Sequence, residues 1–278
     1  MKIARISVGS APAPIARRLA APKLGTAGAT PEVLGAVFVD ADTERDLRDL
    51  ILGPDGLAHT LPDGALLVSE AALAPESLRA IAADLIELGG RRPTLVGALI
   101  CGIPADAVDG GMSVLCDGPD PAIARLRPLL ETISPKIIHC GQDAGQAQAA
   151  NLVNAAIAAC TRIITYEAVT LGIKYGLALG DMNEILKTST GRSESSEKIL
   201  PHLVFGEKTS DGTLDDLLGP LALAVGTGAA CGAPMMLANT AHGVYRMLGS
   251  FLAPDAKLDE MTTAFARITG ASYVASEA

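Results

Sequence analysis

The sequence predicts two domains in series, an α/β domain with a parallel sheet over residues 1–141 and an all-helical domain over residues 142–278. From Met1 to Gly141, short apolar runs alternate with helical patterns, which is typical of parallel strands joined by crossover helices. From Gly145 onward the strand pattern stops and helical patterns continue. A chain of 278 residues with 49% hydrophobic content can bury a core in each domain.

The elements of the α/β domain follow from its apolar runs and the residues that flank them. The candidate strands are residues 2–8, 36–39, 65–68, 95–100, 112–115 and 136–140. Helices are predicted between them at residues 14–19, 43–52, 75–88 and 121–131. The last two begin at Pro75 and Pro121, and proline is tolerated at a helix start because its missing N–H would have no partner there.

The helical domain is organised around one long predicted helix, from Ala144 to Leu177. This segment lacks proline and is rich in alanine and leucine-type residues, so helix propensity and burial agree along it. It would span about 50 Å, and its apolar surface is wide enough to pack on more than one face. We therefore expect it to form the spine of the domain and the interface of a homodimer. Further helices are predicted at residues 181–188, 193–203, 213–229, 233–249 and 257–268.

The composition excludes several classes of function. The net charge is -9 and basic residues cluster only in the pairs Arg17-Arg18 and Arg91-Arg92, which argues against nucleic acid or an anionic membrane as a partner. The five cysteines are an odd number without a Cys-x-x-Cys pair, so neither a disulfide framework nor a metal site is predicted. Because a signal-peptide pattern and a run of about 18 uncharged apolar residues are both missing, we expect a cytoplasmic protein. The acidic charge is easier to reconcile with a small molecule as its ligand.

Five segments of the chain resemble one protein family. They are LILGPDGL (Leu50–Leu57), GGMSVLCDG (Gly110–Gly118), IIHCGQDAGQAQAANLVNAA, YEAVTLGIKYGL and STGRS (Ser189–Ser193). Together they resemble the β-hydroxyacid dehydrogenases, which have imine reductases as relatives. The resemblance implies a Rossmann domain that binds NAD(P), an all-helical domain that dimerises, and a small hydroxyacid bound in the cleft between the two.

The positions that would hold the cofactor depart from the family pattern. The family has three glycines that let the backbone approach the pyrophosphate, and this chain has Ser7, Gly9 and Pro12 in their places. The proline also removes an amide donor. After the first helix the chain runs from Leu19 to the strand at Ala36, so the strand that reads the adenosine ribose is predicted to be missing. We therefore expect a truncated Rossmann-like domain that uses no cofactor and binds NAD(P) weakly or not at all.

Carboxylates are predicted at the strand ends that would face a ligand. Asp40 and Asp42 follow the second candidate strand, and Glu70 follows the third. Because ligands of open α/β sheets bind beyond the carboxyl ends of the strands, these side chains should lie at the mouth of the cleft and repel a pyrophosphate. The alternative is that Asp40 or Asp42 only caps the helix that begins at Thr43.

The substrate side also departs from the family. Cys101, Gly102 and Ile103 stand where the family has Ser-Gly-Gly, and Asn151 stands at its catalytic lysine, with Asn154 three residues later on the same helix face. An amide can hydrogen-bond an oxygen but cannot act as a general acid or base near neutral pH. The alternatives are a satisfied amide pair at a helix start and, for Cys101, a small buried side chain.

We interpret these changes as a site for chemistry without hydride transfer. The leading hypothesis is a cofactor-independent carbon–carbon lyase of the retro-aldol type that releases a small aldehyde from a hydroxylated substrate. The predicted roles are a base at Glu70 or Asp40, a thiol at Cys101, an oxygen-binding pair at Asn151 and Asn154, and substrate contacts at Gly102 and Arg192. For Arg192, a structural role at a helix terminus is the alternative.

Two other functions stay open at this point. One is an NAD(P)-dependent oxidoreductase of the β-hydroxyacid dehydrogenase or imine reductase type, for which NAD or NADP would be the cofactor. The other is a catalytically inactive protein that only binds a small molecule. Release of aldehyde without nucleotide would favour the lyase, and turnover that appears only with a nicotinamide cofactor would favour the oxidoreductase.

Overall fold

The computed structural model describes residues 1–8, 14–19, 35–89, 92–102, 112–207, 212–253 and 255–273. The chain forms two compact units, Met1–Asn151 and Leu152–Ala278. The first holds a mostly parallel sheet with helices and the second is helical, which confirms the predicted fold class. We predict the boundary between residues 141 and 142, whereas the compact units meet after Asn151, because the first turns of the long helix pack with the sheet.

Six strands form one sheet in the first unit and follow each other in chain order. They are β1 (Ile3–Val8), β2 (Ala36–Ala41), β3 (Leu66–Ser69), β4 (Thr94–Cys101), β5 (Ser113–Asp117) and β6 (Ile137–His139). Neighbouring strands are parallel except for β4 and β5, which run antiparallel with Cys101 opposite Ser113. A parallel β4–β5 pair would need a crossover of roughly a dozen or more residues, and the segment between them is too short for that.

Helices cover both faces of this sheet. Those described in the first unit before the long helix are α1 (Pro14–Arg18), α2 (Glu44–Leu52), α3 (Leu57–Thr60), α4 (Pro75–Glu87) and α5 (Asp120–Leu130). Alternate strand residues point to opposite faces, so β2 packs Val37 and Val39 with Leu47 of α2, and Phe38 with Ile15 of α1 and Leu126 of α5. Burial on both faces explains why these strands read as continuous apolar runs.

The long predicted helix is present as α6 (Gln146–Lys174), which begins in the first unit and continues through the second. It is followed by α7 (Leu179–Thr188), α8 (Glu194–Phe205), α9 (Leu214–Cys231), α10 (Met236–Gly249), a 3-10 helix (Leu258–Glu260) and α11 (Met261–Thr269). Ser193 and Thr213 cap α8 and α9, and each side chain accepts a hydrogen bond from the backbone three residues later. These caps lie where the sequence places the helix starts.

Among the described residues, α6 and α9 are long and apolar enough to cross a membrane by length and composition. Half of the most apolar stretch of α6 is buried inside the protein. The same helix carries Arg162 and Glu167 along its length. A core helix of a globular domain has these properties, so the two helices give only weak support for a membrane-spanning role.

Candidate functional site

Four parallel strands end at one edge of the sheet, which we name the carboxyl edge. β1 to β4 run in the same direction, so their last residues, Val8, Ala41, Ser69 and Cys101, lie along this edge. Ligands of open α/β sheets bind beyond such an edge. The structure thereby brings several of the predicted site residues to one side of the sheet, namely Asp40, Glu70, Cys101 and Gly102.

Asp40 and Glu70 are buried at the carboxyl edge and bind backbone amides. Glu70 is 4% exposed, and its Oε2 atom accepts a hydrogen bond of 2.5 Å from the backbone N–H of Ile15 in α1. Asp40 is 3% exposed, and its Oδ1 atom accepts one of 3.0 Å from the N–H of Ala41. We expected both carboxylates at an open mouth. Because β2 continues to Ala41, Asp40 is part of the strand and packed within it.

The helix that follows β2 is capped by Thr43. The Thr43 hydroxyl accepts a hydrogen bond of 3.1 Å from the N–H of Asp46, and the Thr43 backbone is extended, as an N-cap residue requires. The alternative that Asp40 or Asp42 caps this helix is therefore wrong. The capping side chain must come from the residue directly before the first helical one, and α2 begins at Glu44.

Cys101 and Gly102 lie where β4 leaves the sheet. Cys101 is half-buried, and burial raises the pKa of its thiol, so the sulfur stays protonated near neutral pH. A protonated thiol is a weak hydrogen-bond donor and a poor nucleophile. Gly102 has a φ of +114°, which a residue with a side chain rarely adopts. Ile103, the third residue of this predicted motif, lies outside the described residues.

The first turns of α6 lie against the same face of the sheet as Cys101. Ala147 is fully buried with Leu99 and Leu115, and Cys101 packs against this small cluster. Gln148 is 2% exposed and reaches the segment after β3, where its Nε2 atom donates to the Ala71 carbonyl at 3.5 Å. Asn151, one turn later, is half-buried and closes the first unit. Its amide therefore belongs to the same unit as the carboxyl edge.

The remaining two predicted site residues, Asn154 and Arg192, belong to the second unit. Asn154 is exposed on α6. Arg192 is exposed in the turn before α8, with its Nε atom 3.6 Å from Oε1 of Glu197 and its backbone N–H bonded to the Ser189 carbonyl. The alternative role of Arg192 at a helix terminus is consistent with these contacts. Exposed ion pairs of this kind contribute little to stability.

Asp117 is a buried polar residue that the predicted site does not include. It has no exposed surface and accepts hydrogen bonds from the N–H groups of Gly97 in β4, at 2.7 Å, and Ala147 in α6, at 2.8 Å. Burial raises the pKa of this carboxyl group, and the backbone amides that bind it offset part of that rise. The signal in the sequence was an aspartate directly after the apolar run SVLC, opposite a glycine in the middle of β4.

The carboxyl edge can be tested against a dinucleotide cofactor. Gly9 and Pro12, and the segment in which a strand is predicted to be missing, lie outside the described residues. In the described part, the amide oxygen of Gln148 is buried without a hydrogen-bond partner. A buried acceptor of this kind fits a polar ligand group that donates a hydrogen bond. The Glu70 carboxylate lies at the same edge, where it is buried and accepts the hydrogen bond from Ile15.

Two family models match the chain, one in each part. Residues 16–141 match the NAD binding domain of 6-phosphogluconate dehydrogenase, and residues 145–265 match the family described as NAD-binding of NADP-dependent 3-hydroxyisobutyrate dehydrogenase. Among individual proteins, L-threonate dehydrogenase of Escherichia coli K12 is 26% identical over 214 residues, which cover 77% of this chain and 70% of that protein. The 3-hydroxyisobutyrate dehydrogenase of Pseudomonas aeruginosa is 34% identical over 145 residues, 52% of this chain and 47% of that protein.

Solved structures share the fold. The 3-hydroxyisobutyrate dehydrogenase of Mycobacterium tuberculosis, solved with L-serine, has a TM-score of 0.78 at 21% identity and covers 96% of this chain and 99% of its own. Psf3, solved with NADP+ and 2-OPP, has a TM-score of 0.72 at 19% identity and covers 95% of this chain and 99% of its own. At these identities the likeness concerns the fold.

The comparisons overturn two of our predictions. The lyase is wrong because the matched relatives are dehydrogenases, and the absence of a cofactor is wrong because both parts of the chain match NAD-binding families. The structure gives the physical reason for the first error, since Glu70 and Asp40 are engaged by backbone amides and are not open bases. The absence of a cofactor was inferred from the lost glycines, the missing ribose-reading strand and the carboxylates at the strand ends, and the match to NAD-binding families overrides these local departures.

The family assignment agrees with the structure at each level. The two family matches leave residues 1–15, 142–144 and 266–278 uncovered, and they meet close to where the sheet unit gives way to the helical one. The fold resembles solved relatives over nearly the whole chain, with TM-scores of 0.70 and 0.78 and coverage of 96% of this chain in each case. Sequence and fold together establish that the chain belongs to the β-hydroxyacid dehydrogenase superfamily.

Proposed function

We propose that the protein is an NAD(P)-dependent oxidoreductase that interconverts a small hydroxy acid and the corresponding carbonyl compound. The observation that carries this proposal is the match of both parts of the chain to NAD-binding families. The carboxyl edge supports it, because it places Cys101, Gly102 and the first turns of α6 beside the strand ends where α/β proteins bind ligands. The names of the dehydrogenase relatives support a hydroxy acid as the substrate class.

The residues of this chain would hold the substrate and the cofactor. A bound nicotinamide supplies the hydride acceptor or donor, and the buried amide of Gln148 would hold its polar end. Asn151 would donate a hydrogen bond to the substrate oxygen and would stabilise the negative charge that develops on it when the carbonyl compound is reduced. The protonated thiol of Cys101 is a second donor at this edge. Because neither side chain exchanges a proton readily at neutral pH, the proton passes to and from water in this proposal.

Turnover of hydroxy acids tests the proposal directly. The purified protein is mixed with NAD+ or NADP+ and with L-threonate, 3-hydroxyisobutyrate or L-serine, and reduction of the nicotinamide is followed by absorbance. We expect reduction with at least one of these compounds, and a fall in kcat/KM of roughly 10²- to 10³-fold in Asn151→Ala, the range seen when one oxyanion donor is removed. Absence of reduction with every pair of compounds would contradict the proposal.

Glu70→Gln is expected to strengthen cofactor binding. Glutamine can still accept the hydrogen bond from Ile15, and the substitution removes one negative charge at the carboxyl edge, where the proposed anionic cofactor would bind. We expect the Kd for NADPH to fall by about 3- to 10-fold, which corresponds to roughly 1 kcal/mol of repulsion, and the gain to shrink at high salt. Glu76→Gln, at an exposed position in the first turn of α4, is the matched control. A Kd that is unchanged or higher in Glu70→Gln argues against this placement of the cofactor.

A homodimer that works in the cytoplasm completes the proposal. Val153, Ile157, Ile164 and Leu171 of α6, together with Tyr175 directly after its last residue, are between 57% and 82% exposed. Their spacing of four, seven, seven and four residues puts them on one side of the helix, and we name this row the α6 stripe. A continuous exposed apolar patch is typical of an interface. All five cysteines are free thiols, which fits a reducing compartment. Asn154 and Arg192 stay predicted substrate contacts.

A further inference from the structure

Asp117 joins the sheet to the start of α6 through one carboxylate. It is the last residue of β5 and is completely buried. One oxygen accepts from the N–H of Gly97 in β4 and the other from the N–H of Ala147 in α6, at 2.7 and 2.8 Å. The backbone amides of Gly145 and Gln146 also face this carboxylate. The Asp117 side chain therefore links the start of α6 to a central strand by hydrogen bonds to both.

The backbone on both sides makes room for this contact. Gly97 lies opposite Asp117 in the antiparallel β4–β5 pair, and a Cβ atom at position 97 would lie only 2.7 Å from the Asp117 Oδ1 atom. Gly145, directly before α6, has a φ of +91°, which favours glycine. Asp117 therefore occupies the space that Gly97 leaves open in the neighbouring strand. It binds the start of α6, where the positive φ of Gly145 sets the direction of the chain.

The contact lies close to the residues that we assign to the substrate oxygen. Ala147, which donates to Asp117, packs with Leu99 two residues after Gly97 on β4. Cys101, two residues further along β4, packs against the same cluster. Asn151 follows Ala147 by four residues and so projects from the same side of α6. The way in which the first turn of α6 is held on β4 therefore sets where Asn151 lies relative to Cys101.

We propose that Asp117 is a positioning residue for Asn151. Its carboxylate fixes the first turn of α6 to β4 and thereby sets the distance and direction in which the Asn151 amide meets the substrate oxygen. The inference rests on the proposed function, since that function gives Asn151 its contact with the oxygen. Asp117 acts through α6 and touches neither the substrate nor the cofactor.

Both the charge and the two oxygens of Asp117 serve this role. A carboxylate accepts hydrogen bonds on each oxygen, so it satisfies Gly97 and Ala147 at once, whereas an amide would turn its NH2 group towards one of these N–H groups. The negative charge is also favourable at the amino-terminal end of a helix of 29 residues. Asp117→Asn keeps the volume of the side chain but removes one of its two hydrogen bonds, either to Gly97 or to Ala147.

The test compares the wild-type protein, Asp117→Asn and the control Asp49→Asn, which removes an exposed carboxylate from α2. Each protein is assayed well below its melting temperature for the Kd of NADPH, and for kcat and KM with the hydroxy acid that the wild type oxidises best. We expect kcat to fall on the order of 100-fold in Asp117→Asn, the effect of about 1 Å of misplacement, and the Kd of NADPH to change by less than about 3-fold. Hydrogen exchange should accelerate at Gly145, Gln146 and Ala147, and Asp49→Asn should match the wild type.

The outcomes separate this inference from the function on which it rests. A lower melting temperature with wild-type kcat in the folded variant would show a purely structural role and overturn the inference. If Asp117→Asn does not fold, Gly97→Ala displaces the same carboxylate from the strand side, and a wild-type kcat there overturns it as well. A wild-type protein that neither binds NADPH nor oxidises a hydroxy acid contradicts the proposed function itself, and the inference with it.

Discussion

Glutamate at both Ile164 and Leu171 is expected to convert the proposed homodimer into a monomer. Both side chains lie in the α6 stripe and are more than half exposed in the single chain. If the stripe is the dimer interface, each new carboxylate would have to be buried without a partner against an apolar surface, and a buried unpaired charge costs about 3–5 kcal/mol. Two such charges per chain, doubled by symmetry, exceed what an interface of ordinary size can offset. Sedimentation velocity at micromolar concentration measures the result.

Arg45→Glu is the matched control for this experiment. It changes the net charge of the chain by the same amount, at a position on α2 that is 90% exposed and forms an ion pair with exposed Asp49. The control should sediment as the wild type does. A double variant that stays dimeric would place the interface elsewhere, and a wild-type protein that sediments as a monomer would remove the dimer from the proposal.

Tyr166→Ala is expected to destabilise the helical unit by about 3–5 kcal/mol, the usual cost of truncating a buried aromatic residue. Tyr166 has no exposed surface and stacks on Phe265 with the ring centroids 4.9 Å apart. A second ring, that of Tyr273, meets it edge-on at 6.3 Å. Alanine leaves a cavity among α6, α11 and the segment after α11, and the close packing of the core allows little relaxation. Urea unfolding followed by circular dichroism gives the free energy of unfolding.

Tyr166→Phe separates the ring from the hydroxyl group. The hydroxyl is buried and has no hydrogen-bond partner among the described residues, although the guanidinium of Arg162 lies beside it one turn earlier on α6. Removing an unsatisfied buried hydroxyl costs little, so we expect Tyr166→Phe to stay within about 1 kcal/mol of the wild type. A loss as large as that in Tyr166→Ala would mean that the hydroxyl makes a strong contact, for example through a buried water.

The fold was predicted from patterns of apolar residues that extend over long segments of the chain. The order of an α/β part and a helical part, and α6 as one long helix, follow from apolar periodicity sustained over many residues. The antiparallel β4–β5 pair escaped prediction, because local patterns do not report strand direction and only the short connection between the strands hinted at it. The structure therefore differs from the prediction where pairing between distant residues decides the outcome.

Small errors at strand ends had larger consequences for the site. The second strand was predicted to stop at Val39 and the fifth at Leu115, whereas they continue to Ala41 and Asp117. These added residues include Asp40 and Asp117, which the structure buries and binds to backbone amides. A polar residue at the end of an apolar run is predicted to lie in a loop. The local sequence does not show that N–H groups from other parts of the chain can bind its side chain within the strand.

The cofactor prediction failed for a related reason. It treated Glu70 as an open carboxylate, and the structure shows that the N–H of Ile15 binds it. Asn151 stands where the family has its catalytic lysine, and this replacement was taken as a loss of redox chemistry. Hydride transfer, however, is a property of the cofactor, and the protein supplies orientation and hydrogen bonds. Sequence motifs report single contacts, and affinity for a dinucleotide comes from many backbone contacts along the carboxyl edge.

Isothermal titration calorimetry with NADPH and NADH tests the central claim most directly, since both the function and the role of Asp117 depend on a bound nicotinamide cofactor. The full-length wild-type protein is titrated with each nucleotide and with ATP as a control for adenine and phosphate binding. We expect saturable binding of NADPH or NADH in the micromolar range at one site per chain, tighter than that of ATP. Heat changes that do not saturate for either dinucleotide, or equal affinity for ATP, would contradict the account of this protein as an NAD(P)-dependent oxidoreductase.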